Sequence, residues 1–109
     1  MEIGLKFKGR KIVIKNVKEA RGFNKFRGLM FKSESQPLLF KFNKMTKQPI
    51  HSLFCPEFVA IWLDENNKIV EIKKVKPWHF SIKPSKAFSK LIEIPINDSY
   101  AKIIKNLIR

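Results

Sequence analysis

The stretch FVAIWLDENNKIVEIKKV, residues 58–75, constrains the fold more than any other part of the chain. Two runs rich in Val, Ile, Leu, Phe and Trp flank Glu65, Asn66 and Asn67, a turn-forming trio. Setting Val59, Ile61 and Leu63 against Ile69 and Ile72 gives an antiparallel hairpin with an apolar face. A second hairpin is written at the start of the sequence. Ile3, Leu5 and Phe7 alternate with Lys6 and Lys8, and Ile12 and Ile14 continue the apolar face. KGRK, residues 8–11, supplies the turn, with Gly9 free to take positive φ.

Further short strands are expected at 38–42, after Pro37, and within 90–96, while 43–49 reads as a loop. Ala20, Phe23 and Phe26 recur every three residues, which predicts a short helix from about Lys18 to Lys25, closed by Gly28. The last 13 residues read as an amphipathic helix. Asn97, Asp98 or Ser99 can cap it, and Tyr100, Ile103, Ile104 and Leu107 share one stripe that packs on a sheet. The expectation is therefore a mainly β, α+β fold. It is a compact antiparallel β-sandwich or barrel-like domain with a short N-terminal helix and a C-terminal amphipathic helix.

A chain of 109 residues, 44% of them hydrophobic, makes a single domain over residues 1–109 with a core of useful size. No apolar run approaches the roughly 20 residues that a membrane-spanning helix needs. The alternating N-terminus does not resemble a signal peptide, so the expected location is the cytoplasm.

The ordered set RGLMF (27–31), PLLFKF (37–42), IWLDENNKIVEI (61–72), KPW (76–78) and LIEIP (91–95) resembles the archaeal form of the family catalogued as domain of unknown function 192. The resemblance spans roughly residues 12 to 96. It implies a compact β-sandwich or barrel-like domain with a short helix near the N-terminus, and it implies no established activity. Many bacterial members carry Pro-Leu-Asp before the strand matching residues 60–64. Here Glu57, Phe58 and Val59 stand in that place, so that acid is absent. Relatives often finish on a Gly-Asp turn and a further strand, where this chain has its basic helix.

No constellation of catalytic type emerges. Cys55 sits among Leu53, Phe54 and Pro56, in the company of a buried thiol, and one cysteine builds no disulfide. His51 lies four residues before it. On a strand that spacing sets the two about 13 Å apart, beyond hydrogen-bonding reach. His51 and His79 are the only histidines. Asp64, Glu65, Glu71 and Glu93 show no spacing that converges on a metal. Asp64 belongs to the turn, and Glu71 reads as an ion-paired surface acid. Four glycines, at 4, 9, 22 and 28, form no phosphate-cradling loop. Neither a cofactor nor a metal is expected, and the chain reads as a non-enzyme.

Charge is the stronger lead. The net charge is +14, with 13 basic and 3 acidic residues in positions 1–50 against 10 and 6 in positions 51–109. A surplus of this size makes polyanions the default partners. Lys6, Lys8, Arg10, Lys11 and Lys15 occupy the wet side and turn of the first hairpin, and Lys18, Arg21, Lys25 and Arg27 follow on the expected helical turn. Such a stripe suits the repeating phosphates of RNA or a ribonucleoprotein. The alternative is a protein-interaction or small-ligand cleft near His51, Trp62, Trp78 and His79. Trp78 reads either as a plug at one end of the core or as a stacking platform for unpaired bases.

Overall fold

A computed structural model of the protein describes residues 1–20, 36–50, 57–78 and 81–108. Seven strands lie among the described residues: β1 (Ile3–Phe7), β2 (Arg10–Ile14), β3 (Lys18–Glu19), β4 (Leu38–Thr46), β5 (Phe58–Leu63), β6 (Ile69–Val75) and β7 (Phe88–Pro95). A short 3₁₀ turn, Asp98–Tyr100, leads into helix α1 (Ala101–Ile108).

β1 and β2 form a separate two-stranded ladder, and the other five strands form one sheet in the order β3-β4-β7-β5-β6. β4, β7 and β5 are the interior strands, and β7 and β5 are the most deeply buried of them. All six residues of β5 are buried and apolar, so it does not alternate, and seven of the eight in β7 are buried, Ser89 and Glu93 among them. Ile61 pairs with Ile92 on one side and with Ile72 on the other, as the hairpin reading requires.

Each face of this sheet carries its own core. On one, Leu39, Val59, Ile61, Leu63, Ile92 and Ile94 meet Leu5, Ile12 and Ile14 of the hairpin and Ile104 and Leu107 of α1. On the other, Leu38, Phe40, Phe58, Ala60, Trp62, Phe88 and Leu91 pack together. Phe88 stands edge-on to Phe42, with ring centroids 5.3 Å apart, and to Trp62 at 6.4 Å. Burying a side chain the size of Leu5, which is 0% exposed, contributes roughly 2 kcal/mol.

The fold is thus mainly β, with two sheets and a C-terminal helix, and the described strands do not close into a barrel. Asn97 caps the helical end, its Oδ1 accepting from the Ser99 N–H at 3.0 Å. Tyr100, Ile103, Ile104 and Leu107 all lie against the first core, as the stripe implies.

Three expectations are corrected. Lys18 and Glu19 do not begin a helix; they form a strand parallel to Leu38–Leu39. The Lys18 N–H donates to Pro37 O and the Ala20 N–H to Leu39 O, at 2.9 and 2.8 Å. Those long-range bonds hold residues 18–20 in the sheet. The remainder of that helix and its Gly28 cap lie outside the described residues. Second, β4 continues through Lys44 to Thr46, where a loop is expected, past a register shift against β7. Third, the large sheet is not wholly antiparallel, because β3 joins it in parallel.

Candidate functional site

The first hairpin places its cations by register. Lys8 and Gly9 both take positive φ, 50° and 76°, the two-residue turn that matches the twist of paired strands. β1 and β2 then pair so that Lys6 lies directly opposite Lys11. Lys11 is accommodated by Gly4: a Cβ there would come within 2.9 Å of Lys11 Cε.

The hairpin is also tied to the large sheet. The Lys6 N–H donates to Asn67 O at 2.9 Å, and Asn67 Nδ2 donates to Gly4 O at 3.3 Å. Asn67 holds φ 62°, and its Oδ1 accepts from Lys90 Nζ at 2.5 Å. Asp64 shapes this turn, accepting the N–H groups of Asn66 and Lys68 at 2.8 and 3.0 Å. The consequence is a parallel bridge between Lys6 and Lys68. Lys11, Lys6 and Lys68 therefore form one row of pairing partners, from β2 through β1 to the β5–β6 turn, at roughly 4.8 Å per step. Lys8 and Arg10 stand at the hairpin's end.

All five are exposed. Among the described residues, the ion pairs join other cations: Lys41 to Glu19 at 3.5 Å, Lys73 to Glu71 at 3.1 Å and Lys74 to Glu57 at 3.9 Å. No described acid lies within ion-pair reach of the hairpin row. Lys8 Nζ lies 5.2 Å from the centre of the Phe7 ring. Lys15 and Lys18 are exposed as well, whereas Arg21, Lys25 and Arg27 lie outside the described residues. Sequence reasoning missed Lys68, because only the Lys6 bridge brings the β5–β6 turn beside the hairpin.

Of the residues of the alternative cleft, the described ones, Trp62 and Trp78, share no exposed surface. Trp62 is 0% exposed, with Lys73 Nζ 5.9 Å from its ring, and so offers no surface to a ligand. Trp78 is 60% exposed at φ 68°, which excludes the role of a core plug. His51 and His79, like Cys55, lie outside the described residues. Among the described residues, no three His, Cys, Asp or Glu side chains gather where they could hold a metal.

Two acids have distinct settings. Burial alone would raise the Glu71 carboxyl, but bonds from the Ser85 N–H (3.0 Å) and hydroxyl (2.8 Å), with Lys73 alongside, hold it below its ordinary value. Glu93 sits on the second core face, opposite Leu38 and Ala60, and is 5% exposed. Burial there pushes its pKa up to about 8, so it is neutral over most of the physiological range.

Comparison with known proteins finds one curated relative and two solved structures of similar fold. The chain is 34% identical over 92 residues to a UPF0127 protein of Pyrococcus furiosus, covering 81% of this chain and 78% of that protein. No family model matches the sequence. Two crystal structures share the fold, each at 14% identity and over 94% of this chain. One is a protein of unknown function from Novosphingobium aromaticivorans, with a TM-score of 0.72 over 76% of its length. The other, from Sinorhizobium meliloti, is described as a candidate transcription regulator, with a TM-score of 0.74 over 84% of its length.

Proposed function

The chain belongs to the UPF0127 family, and on that premise we propose that it is a non-catalytic binding module for a polyanion, with RNA or a ribonucleoprotein as the ligand class. The observation that carries this reading is the row Lys11–Lys6–Lys68 with Lys8 and Arg10 beside it. Like charges directly opposite each other on paired strands destabilise the pairing. A lysine at positive φ is a second local cost, since Asn or Gly suits that turn position better. Both costs concentrate charge at one surface, and a phosphate backbone laid along the row relieves the repulsion while releasing its own counterions.

The net charge of +14 supports the same reading. The description of the Sinorhizobium meliloti neighbour as a candidate transcription regulator is compatible with a nucleic-acid ligand. At 14% identity that likeness carries the fold, and the reading rests on the row.

The test is fluorescence anisotropy with a labelled single-stranded RNA. A variant with Lys6, Lys11 and Lys68 changed to Ala is compared with a control carrying Lys74, Lys83 and Lys86 changed to Ala. Both lose three charges, so bulk charge is matched. The row variant is expected to lose about tenfold or more in affinity, the control much less. Equal losses would show that the row is not the site.

A further inference from the structure

Where β2 ends, the chain turns at Asn16 and passes beside the start of the C-terminal helical segment, 84 residues later in sequence. The two segments enclose an open groove of about 660 Å³ whose walls include Val13, Lys15, Asn16, Tyr100, Lys102 and Ile103. Among the described residues, no Asp or Glu lines it. Ligand sites typically span about 300–1,000 Å³ and combine apolar walls with a few convergent polar groups. This groove has both.

Its polar groups form a directed chain. Gln36 Nε2 donates to Asn16 O at 2.9 Å and to Asn16 Oδ1 at 3.4 Å. That fixes the amide so that Asn16 Nδ2 donates to the Tyr100 hydroxyl oxygen at 3.2 Å. Asn16 itself holds φ 59°, a conformation asparagine tolerates and most residues do not. With its oxygen already accepting, Tyr100 has its hydroxyl proton left to donate. Lys15 and Lys102 are exposed cations with no described acid in ion-pair reach. Val13, 39% exposed, and the half-buried Ile103 give apolar surface beside them.

We propose that this groove binds a small amphipathic anion. Its single carboxylate or phosphate is held by Lys15, Lys102 and the Tyr100 hydroxyl, and its short apolar body lies on Val13 and Ile103. None of Lys11, Lys6 and Lys68 is among the groove's described lining residues, and the proposal does not depend on that row. A phosphate and a carboxylate present the same chemistry here: an anionic oxygen that accepts charge-assisted hydrogen bonds.

The experiment is an amide chemical-shift titration of the whole chain with octanoate and with octyl phosphate, using octanol and octylamine as probes of matched apolar length. The expected result is saturable shifts at Lys15, Asn16, Tyr100 and Lys102 with at least one of the anions. Octanol and octylamine are expected to bind about tenfold or more weakly. Lys102→Glu and Lys15→Glu lie at exposed positions and are expected to keep the spectrum of a folded protein. Each is expected to weaken the anion by about tenfold. Octanol binding as tightly as the anions, shifts centred on Lys6 and Lys11 instead, or unchanged affinity in both variants would overturn the proposal.

Discussion

Lys6 and Lys11 face each other directly across the hairpin ladder, and neither lies within ion-pair reach of a described acid. The pair opposes stability and binding against one another. Lys11→Glu turns a repulsive cross-strand pair into an attractive one, which is expected to add about 0.5–1 kcal/mol. In thermal unfolding that corresponds to a rise of a few degrees in Tm. The same variant is expected to bind RNA more weakly. A variant that is both less stable and unimpaired in binding would contradict the assignment.

The turn carries a similar conflict. Lys8 takes φ 50° immediately before Gly9, the position where Asn-Gly is the favoured pair. Lys8→Asn is expected to stabilise the protein by roughly 0.5–1 kcal/mol, measured by denaturant titration, because it removes part of the left-handed penalty. A loss of stability would show that Lys8 packing on the Phe7 ring outweighs the backbone cost.

Asn67 joins the hairpin to the sheet. Its Nδ2 reaches Gly4 O, its Oδ1 accepts from Lys90, and its φ of 62° is one that glycine also adopts. Asn67→Gly keeps the backbone and deletes both side-chain bonds, at an expected cost of about 1–2 kcal/mol. Hydrogen exchange is the informative readout: the β1 and β2 amides are expected to lose protection before those of β5 and β7. Uniform loss across the chain would mean that the hairpin and the large sheet open as one unit.

Glu93 gives a pH signature. Its ordinary pKa of 4.5 rises to about 8 in the folded chain. The native state therefore keeps a proton that the unfolded chain releases between those values. The stability linked to this group is complete below pH 4.5 and is lost as pH rises toward 8, at up to roughly 1.4 kcal/mol per unit. Glu93→Gln stays neutral throughout, so it is expected to flatten that slope and to exceed the parent in stability at pH 8. A parent protein whose stability is level from pH 5 to pH 8 would contradict the buried setting of this carboxyl.

Much of this architecture is legible in the residues, for identifiable reasons. Period-two alternation marks β1 and β2, the apolar run 58–63 marks an interior strand, and the stripe Tyr100–Leu107 marks the terminal helix. Local pattern fails where distant pairing decides. Lys18–Glu19 becomes a strand because Pro37 and Leu39 offer it carbonyls. Glu93 looks like any strand acid until the register sets it opposite Leu38 and Ala60. The site is legible in the same proportion. Lys6 and Lys11 follow from the hairpin alone, whereas Lys68 joins them only through a bridge spanning more than 60 residues of sequence. The groove depends on Asn16 meeting Tyr100, a contact that no periodicity encodes.

The central claim is that the Lys11–Lys6–Lys68 row binds a phosphate backbone, and salt dependence tests it most directly. Single-strand RNA affinity is measured against log salt for the parent and for the variant with all three lysines changed to Ala. For single strands each phosphate contact contributes a slope of about −0.7, so loss of three contacts makes the parent steeper than the variant by about 2. That difference, with heparin competing less effectively than RNA, is the result this account expects. Identical slopes for the two proteins would contradict it, because the row would then take no part in neutralising the strand.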